Sequence, residues 1–173
     1  QRIHIHKTFK GIAQRGKCSM GWFFGFKLHL ICNEKGELLN FMITPGDIDD
    51  REPLKYEAFM EYIYGKLVGD KGYIGTELFQ RLFVNSIQLV TKLKSNIKGA
   101  LMSVSDKLLL RKRAIIKTVN DELKNIAQVE HSRHRCFDNF IVNMLGAIAA
   151  YCCFPKKPCI NVERTLDTQL TLF

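Results

Sequence analysis

A single aspartate, Asp70, follows a short apolar run and is flanked by glycines in the segment 66–72, KLVGDKG. Leu67 and Val68 are typical of a buried strand, and the glycines allow close backbone approach. A helical pattern begins at Thr76, so Asp70 should lie at the carboxyl end of a strand, where open α/β sheets bind ligands. A carboxylate there could bind a divalent metal ion. The alternative is that Asp70 only caps the next helix or turns the chain.

The overall composition predicts a globular chain with its own core. It has 173 residues, of which 46% are hydrophobic, enough for about one domain. The sequence contains no apolar run of about 18 residues and opens with no secretory leader, so we expect a soluble, cytoplasmic protein. The first residue is Gln1 rather than Met, which leads us to expect that the chain begins inside a longer one.

The six cysteines argue against a zinc site and against a disulfide framework. They are scattered, with one adjacent pair and no repeated CxxC spacing. In a chain of this size and apolar content, we expect reduced cysteines that mostly fill the core.

Positive charge is concentrated in two segments. The net charge is +9, and residues 1–20 carry five Lys or Arg and no acid, while residues 90–135 carry eleven against four acids. Segregated charge of this kind indicates a surface that binds a polyanion. The alternative is a merely basic, solvated exterior.

The pattern of apolar residues predicts an α/β protein with a mixed sheet. In order, it predicts a basic arm over 1–20, a β-hairpin of strands 21–32 and 37–44 around a turn at 33–36, a helix over 54–63, the strand that ends at Asp70 with its helix from 76, a strand over 87–93, a long helix over 105–127 with Ser105 as N-cap, and a helix over 137–152. We therefore expect one domain over 21–153, preceded by the arm 1–20 and followed by a loosely held tail, 154–173.

Three further acidic or titratable residues are weaker candidates for chemistry. His29 lies in the first predicted strand and is interpreted as a packed histidine rather than a catalytic one. Asp49 and Asp50 precede the helix over 54–63, so we expect them to cap it, with metal binding as the alternative.

Several short blocks follow one another along the sequence. They are KTFKG at 7–11, GWFFGFKLH at 21–29, TPG at 44–46 with DDR at 49–51, GDKGY at 69–73, and RKR at 111–113 through RHR at 133–135. In this order they resemble the DDE transposases of bacterial insertion sequences. The resemblance spans about residues 7–158, and the blocks together are specific, whereas any one alone would be weak.

The resemblance implies a ribonuclease H-like fold in which two aspartates and a glutamate hold two Mg²⁺ ions. Two hard cations about 4 Å apart can stabilise the attacking and the leaving oxygen of a phosphodiester displacement. Water first cuts a DNA strand, and the freed 3′ hydroxyl then attacks target DNA. The implied partner is double-stranded DNA, bound by a homodimer in the bacterial cytoplasm.

Residue by residue, the resemblance makes Asp70 the family's second aspartate, both catalytic and metal-binding. The first aspartate would lie on an opening strand upstream of this sequence, so we expect the sheet to lack its first, central strand. The family's glutamate falls at position 117, where this sequence has Lys117, and a protonated lysine cannot bind Mg²⁺. Asp121, one turn further along, is the alternative third ligand, whereas Glu122 is rotated by about 140° from position 117.

We therefore expect a transposase that is inactive as the chain stands. Predicted DNA contacts are Lys10, Arg15, Lys17, Arg111, Lys112, Arg113, Arg133 and Arg135. The alternatives are a DNA-binding remnant without catalysis, a nuclease of the same fold, and a basic RNA-binding or ribosome-associated protein. The last lacks the usual RNA-binding signatures.

Overall fold

The structure, a computed structural model, describes residues 8–18, 21–92, 102–130, 133–160 and 170–172. These residues form strands β1 (Gln14–Cys18), β2 (Gly21–Asn33), β3 (Leu38–Pro45), β4 (Gly65–Val68), β5 (Ile87–Val90) and β6 (Leu170–Leu172). The helices are α1 (Glu57–Met60), α2 (Thr76–Val84), α3 (Val104–Lys112), α4 (Ile115–Asn125) and α5 (Phe137–Cys152), with short 3-10 helices at Glu52–Lys55 and Lys71–Tyr73.

The strands form one mixed sheet, as the sequence predicts. The long strand β2 pairs antiparallel with β1 through its first half, Gly21–Gly25, and with β3 through its second half, Phe26–Cys32. On the other side of the sheet, β4 and β5 are parallel. The strand order along the sheet is β1, β2, β6, β4, β5, with β3 also paired to β2.

Two apolar cores cover the two faces of the sheet, because alternate residues of each strand point to opposite faces. On β2 and β4, Leu30 and Val68 pack with α3, α4 and α5, whereas Ile31 and Leu67 pack with α1 and α2. Tyr151 of α5 is fully buried, and its hydroxyl donates to the Gly36 carbonyl at 2.6 Å. The result is a helix–sheet–helix sandwich, which confirms the predicted α/β class.

The central position of the sheet is filled from the far end of the sequence. Strand β6 lies between β2 and β4, antiparallel to β2 at Cys32 and Asn33 and parallel to β4 at residues 66–68. We expected a sheet without its central strand, on the ground that the family's opening strand lies upstream. The structure instead places β6, the last of the described strands, in that position.

Two other predicted segments are different in the structure. Residues 14–18, expected as part of the basic arm, form strand β1, in which Gly16 is buried. The long helix predicted over 105–127 is two helices with a break at Arg113 and Ala114, and its N-cap is Ser103, which accepts from the Asp106 amide at 3.1 Å. Residues 93–101, part of the basic segment 90–135, lie outside the described residues.

The cysteine prediction is wrong about location. All six cysteines are free, but five are exposed and only Cys32 is buried, where burial raises the pKa of its thiol to about 12. In the part of the chain that the structure describes, no helix combines the length and the apolar character needed to span a membrane.

Candidate functional site

Asp70 lies directly after β4, at the carboxyl end of the strand, as the sequence predicts. The Gly69 amide donates to the Val90 carbonyl at 3.0 Å, which keeps the chain in the sheet up to that point. A Cβ atom on residue 69 would lie 3.3 Å from the ring of Tyr73, so a larger residue would crowd that ring. The Asp70 carboxylate also accepts from the Lys71 amide at 2.6 Å and so caps the short 3-10 helix Lys71–Tyr73. The capping role and the strand-end position therefore coexist.

An arginine from the break between α3 and α4 binds the Asp70 carboxylate. Nη1 of Arg113 donates to Oδ1 of Asp70 at 2.7 Å. This guanidinium lowers the pKa of Asp70, with a smaller contribution from the Lys71 amide, and the charge of Lys117 acts in the same direction. The break between the helices thus places two cations, Arg113 and Lys117, beside one carboxylate.

A cavity of about 650 Å³ opens beside Asp70. Its charged lining is balanced, three carboxylates against three bases: Asp49, Asp50, Asp70, Lys27, Arg51 and Lys71. Tyr73 stands among these carboxylates, and the pKa of its hydroxyl is raised by burial and then by the charges of Asp50, Asp70 and Asp49. The tyrosine hydroxyl is therefore neutral and able to donate at physiological pH.

The two neighbouring aspartates bind bases, and Asp49 also accepts from the Arg51 amide at 2.9 Å, directly before the 3-10 helix Glu52–Lys55. Asp49 accepts from Nε and Nη2 of Arg51 at 2.9 and 2.8 Å, and this fork lowers the pKa of Asp49 well below its usual range. Asp50 accepts from Nζ of Lys27 at 2.8 Å. The 3-10 helix Glu52–Lys55 and helix α1 have no side-chain cap, so the predicted capping role of these acids is wrong.

The alternative third ligand is engaged elsewhere. Oδ1 of Asp121 accepts from Asn125 of the same helix at 2.7 Å. Glu122 faces the other way, toward Tyr151, whose pKa its charge helps to raise after burial, and one of its carboxylate oxygens is buried without a hydrogen bond. The residue of α4 whose charge acts on Asp70 is Lys117.

These residues do not fit a divalent metal ion. Among the described residues, no group of three or more His, Cys, Asp or Glu side chains is placed to hold one. Each aspartate that lines the cavity is bound by a cationic side chain, Asp70 by Arg113, Asp49 by Arg51 and Asp50 by Lys27. Arg113 and Lys27 each bind Oδ1 of their aspartate, and Arg51 binds both oxygens of Asp49. These cations therefore compete with a hard metal ion for the carboxylates.

A larger cleft of about 1070 Å³ adjoins this cavity and shares Lys27, Asp50 and Tyr73 with it. Three of the predicted DNA contacts, Lys17, Arg133 and Arg135, line this cleft together. Its inner wall is aromatic, with the rings of Phe9, Phe26 and Phe140 separated by 5.4 to 5.8 Å between centroids.

The other predicted DNA contacts are not among the residues that line these two openings. Lys10 and Arg15 are exposed. Arg111 and Lys112 occupy the last turn of α3, where positive charge also stabilises the helix dipole. His29 is buried and shares a 2.9 Å hydrogen bond with Thr44, and burial lowers the pKa of its ring, in line with the packed histidine that we expected.

Sequence reasoning missed the exposed Trp22 and the pairing of Arg113 with Asp70. Trp22, at the start of β2, is 65% exposed, with Nζ of Lys17 5.9 Å from its ring centre. Strands β1 and β2 form a hairpin, the β1–β2 hairpin. The sequence signal for it was the alternation of Arg15 and Lys17 around Gly16, opposite the aromatic run of β2. The pairing of Arg113 with Asp70 had no local signal, because the two residues are 43 positions apart.

Comparison with known proteins gives one match. A family model described as "Transposase DDE domain" matches residues 1–137, a span that includes Asp70, Arg113, Lys117 and most of the cleft. No curated protein and no solved structure matches the chain.

Proposed function

Because the chain belongs to the family of transposase DDE domains, we propose that it binds double-stranded DNA and, as it stands, does not cleave DNA with metal ions. Membership in this family implies DNA transposition as the general activity, DNA as the partner and divalent metal ions as the general cofactor. The mixed α/β fold agrees with a ribonuclease H-like catalytic domain. Assembly as a homodimer on DNA stays a prediction.

The ion pair between Asp70 and Arg113 carries this proposal. Asp70 is the one carboxylate of this sequence that matches the family pattern within a matching motif. Its carboxylate is bound by the Arg113 guanidinium at 2.7 Å. The resemblance places the family's glutamate at position 117, and Lys117 adds a second positive charge near the same carboxylate. Arg113 and Lys117 thus place two positive charges where the resemblance implies acidic metal ligands. Positive charge there opposes the binding of a metal ion and favours an anion such as a DNA phosphate.

The two adjoining openings support a path for a DNA strand. Lys27 lines both openings, and the cleft is also lined by Lys17, Arg133 and Arg135. Arg113 adds a base at the Asp70 carboxylate, which lines the smaller cavity. Contacts with phosphates position DNA without reading its sequence. We therefore expect binding to DNA of unrelated sequences.

The test is a salt titration of duplex binding with two unrelated sequences of equal length. If about five to eight phosphates are neutralised, the logarithm of the binding constant should fall with log salt at a slope of roughly −5 to −7. Both duplexes should give the same slope. A slope near zero would show that the basic surface does not bind DNA.

A cleavage assay tests the second half of the proposal. Supercoiled plasmid is incubated with the chain and Mg²⁺ or Mn²⁺, beside an Asp70→Asn variant as the control. We expect nicking no greater than with the control, because the carboxylate is held by Arg113. Efficient nicking that is abolished by Asp70→Asn would contradict the proposed loss of catalysis. That result would not affect the proposal that the chain binds DNA.

A further inference from the structure

One face of the β1–β2 hairpin combines two cations with two aromatic rings. In the antiparallel register, Lys17 pairs with Trp22 and Arg15 pairs with Phe24, so all four side chains share a face. Gly16 and Phe23, which lie between them in sequence, point to the other face, where a Cβ atom on Gly16 would collide with the Phe23 ring. Arg15, Lys17 and Trp22 are exposed, and Phe24 is partly buried.

An exposed tryptophan of this kind is unusual for packing alone. Trp22 keeps 65% of its surface accessible, although indole is among the side chains that gain most from burial. Nζ of Lys17 lies 5.9 Å from the ring centre, near the outer limit of a cation–π contact. The exposed part of the indole leaves surface for a flat partner, and the ammonium group over the ring is close enough to bind an anion attached to that partner.

The charge around the hairpin selects the partner. The first 33 residues of the sequence contain no Asp or Glu. Trp22 lies next to Lys17, which lines the large cleft together with Arg133 and Arg135. A planar group joined to negative charge complements this surface, and nucleic acid bases stack on aromatic side chains while basic residues bind the phosphates.

We propose that the hairpin face formed by Arg15, Lys17, Trp22 and Phe24 is a stacking site for an unpaired base of single-stranded DNA. The base stacks on the indole of Trp22, and Lys17 and Arg15 bind the flanking phosphates. This inference rests on the proposed DNA binding and deepens it, because intact duplex offers no unpaired base to the ring. It adds a preference for opened or single-stranded DNA at one end of the cleft.

Intrinsic fluorescence gives a direct test, because Trp22 is the only tryptophan in the sequence. The chain is titrated with a single-stranded oligonucleotide and with an abasic strand of the same length and charge. Stacking of a base on the indole should quench its emission with the first strand and not with the second. Equal quenching by both strands would overturn the stacking site.

Affinity measurements with variants give the second test. Trp22→Thr keeps a strand-forming side chain but removes the ring, and should weaken single-strand binding by about five-fold to about one-hundred-fold. Binding to duplex should change by no more than about two-fold. Trp22→Phe should restore most of the single-strand affinity, and circular dichroism checks that each variant is folded.

Phe83→Ala is the matched control, because Phe83 on α2 is 66% exposed and lies away from the hairpin in the sequence. It should leave single-strand affinity unchanged. The stacking site is overturned if Trp22→Thr weakens single-strand and duplex binding equally, or if it weakens neither. In both cases, salt-dependent duplex binding by the chain would still support the proposed function. If the chain binds no duplex at any salt concentration, the proposed function itself fails.

Discussion

The surface formed by the cavity beside Asp70 and the adjoining cleft carries positive charge in different ways at its Asp70 end and at its β1–β2 hairpin end. At the Asp70 end, Arg113, Arg51 and Lys27 each hold a carboxylate, at 2.7 to 2.8 Å. At the hairpin end, Lys17 contacts an aromatic ring, and within the described residues no ion pair involves Lys17, Arg133 or Arg135.

This difference shows that the number of basic residues on a surface is not the same as the net positive charge available to a polyanion. A base already paired with a carboxylate adds little net field at the surface, because the opposite charge lies within one hydrogen bond. Bases without an acid neighbour keep their field and release counterions when they meet phosphates. The hairpin end should therefore provide most of the affinity for DNA, and the Asp70 end most of the resistance to metal ions.

The largest expected effect comes from removing the bases at the hairpin end. The triple variant Lys17→Ala, Arg133→Ala, Arg135→Ala should make the salt slope of duplex binding less negative by about 2 to 3, since each phosphate contact contributes about 0.9. Fluorescence anisotropy with labelled duplex at several salt concentrations measures it.

The matched control removes the same charge from paired bases. Arg51, Lys55 and Lys124 bind Asp49, Glu52 and Glu130. Their joint replacement by Ala should change the slope by less than about 1. Equal effects of the two triple variants would show that bases paired with a carboxylate contribute to DNA binding as much as bases without one.

A charge reversal at position 117 should give the next largest effect. Lys117→Glu replaces a repelling charge near Asp70 with a second carboxylate, and should raise Mg²⁺ affinity by about tenfold or more, as expected for opposite charges a few ångströms apart at an effective dielectric near 20. Isothermal titration calorimetry measures it, with Lys107→Glu on α3 as the control of equal charge. We expect bound metal but little strand cleavage, because two carboxylates fall short of the family's three. An unchanged affinity would refute position 117 as the third ligand position.

The ion pair at Asp70 predicts a smaller, local effect. Arg113 is the main cause of the lowered pKa of Asp70, so Arg113→Ala should raise that pKa toward its ordinary value. An NMR titration of the Asp70 carboxyl measures the change. Arg111→Ala removes a base from the same stretch as a control, and a shift of the same size in both variants would show that general charge, not the hydrogen bond, sets the pKa.

The smallest effect concerns stability in acid. Since the folded chain lowers the pKa of Asp70, the stabilisation is complete above the pKa that this carboxyl has when unfolded, and is lost as pH falls through its folded pKa. Asp70 is 68% exposed, so the contribution should remain below about 1 kcal/mol. Urea unfolding at neutral and acid pH should show a weaker pH dependence in Asp70→Asn. An identical pH dependence would mean that the ion pair adds no stability.

Local sequence signals predicted the features that depend on local physics. The apolar run before Asp70, the hairpin of β2 and β3 and the apolar helix α5 each carry their own periodicity, and each is present in the structure.

The remaining features depend on contacts between distant residues. The polar strand β1 is stable because β2 offers it a partner, and not because of its own apolar content. The break at Arg113 has no Pro or Gly to announce it, yet it brings this side chain to Asp70. A three-residue strand such as β6 carries too little pattern for any local prediction.

The placement of β6 has a consequence for how the chain folds during synthesis. The β2–β3 and β4–β5 pairs can form early, but β2 and β4 meet only through β6, which is made last among the described strands. Until then the nascent chain exposes the inner edges of β2 and β4, and unpaired strand edges invite association with other chains. Closing the sheet also requires contacts between residues far apart in sequence, which slows folding. The centre of this sheet should therefore be its latest part to form and, before it forms, its most aggregation-prone part.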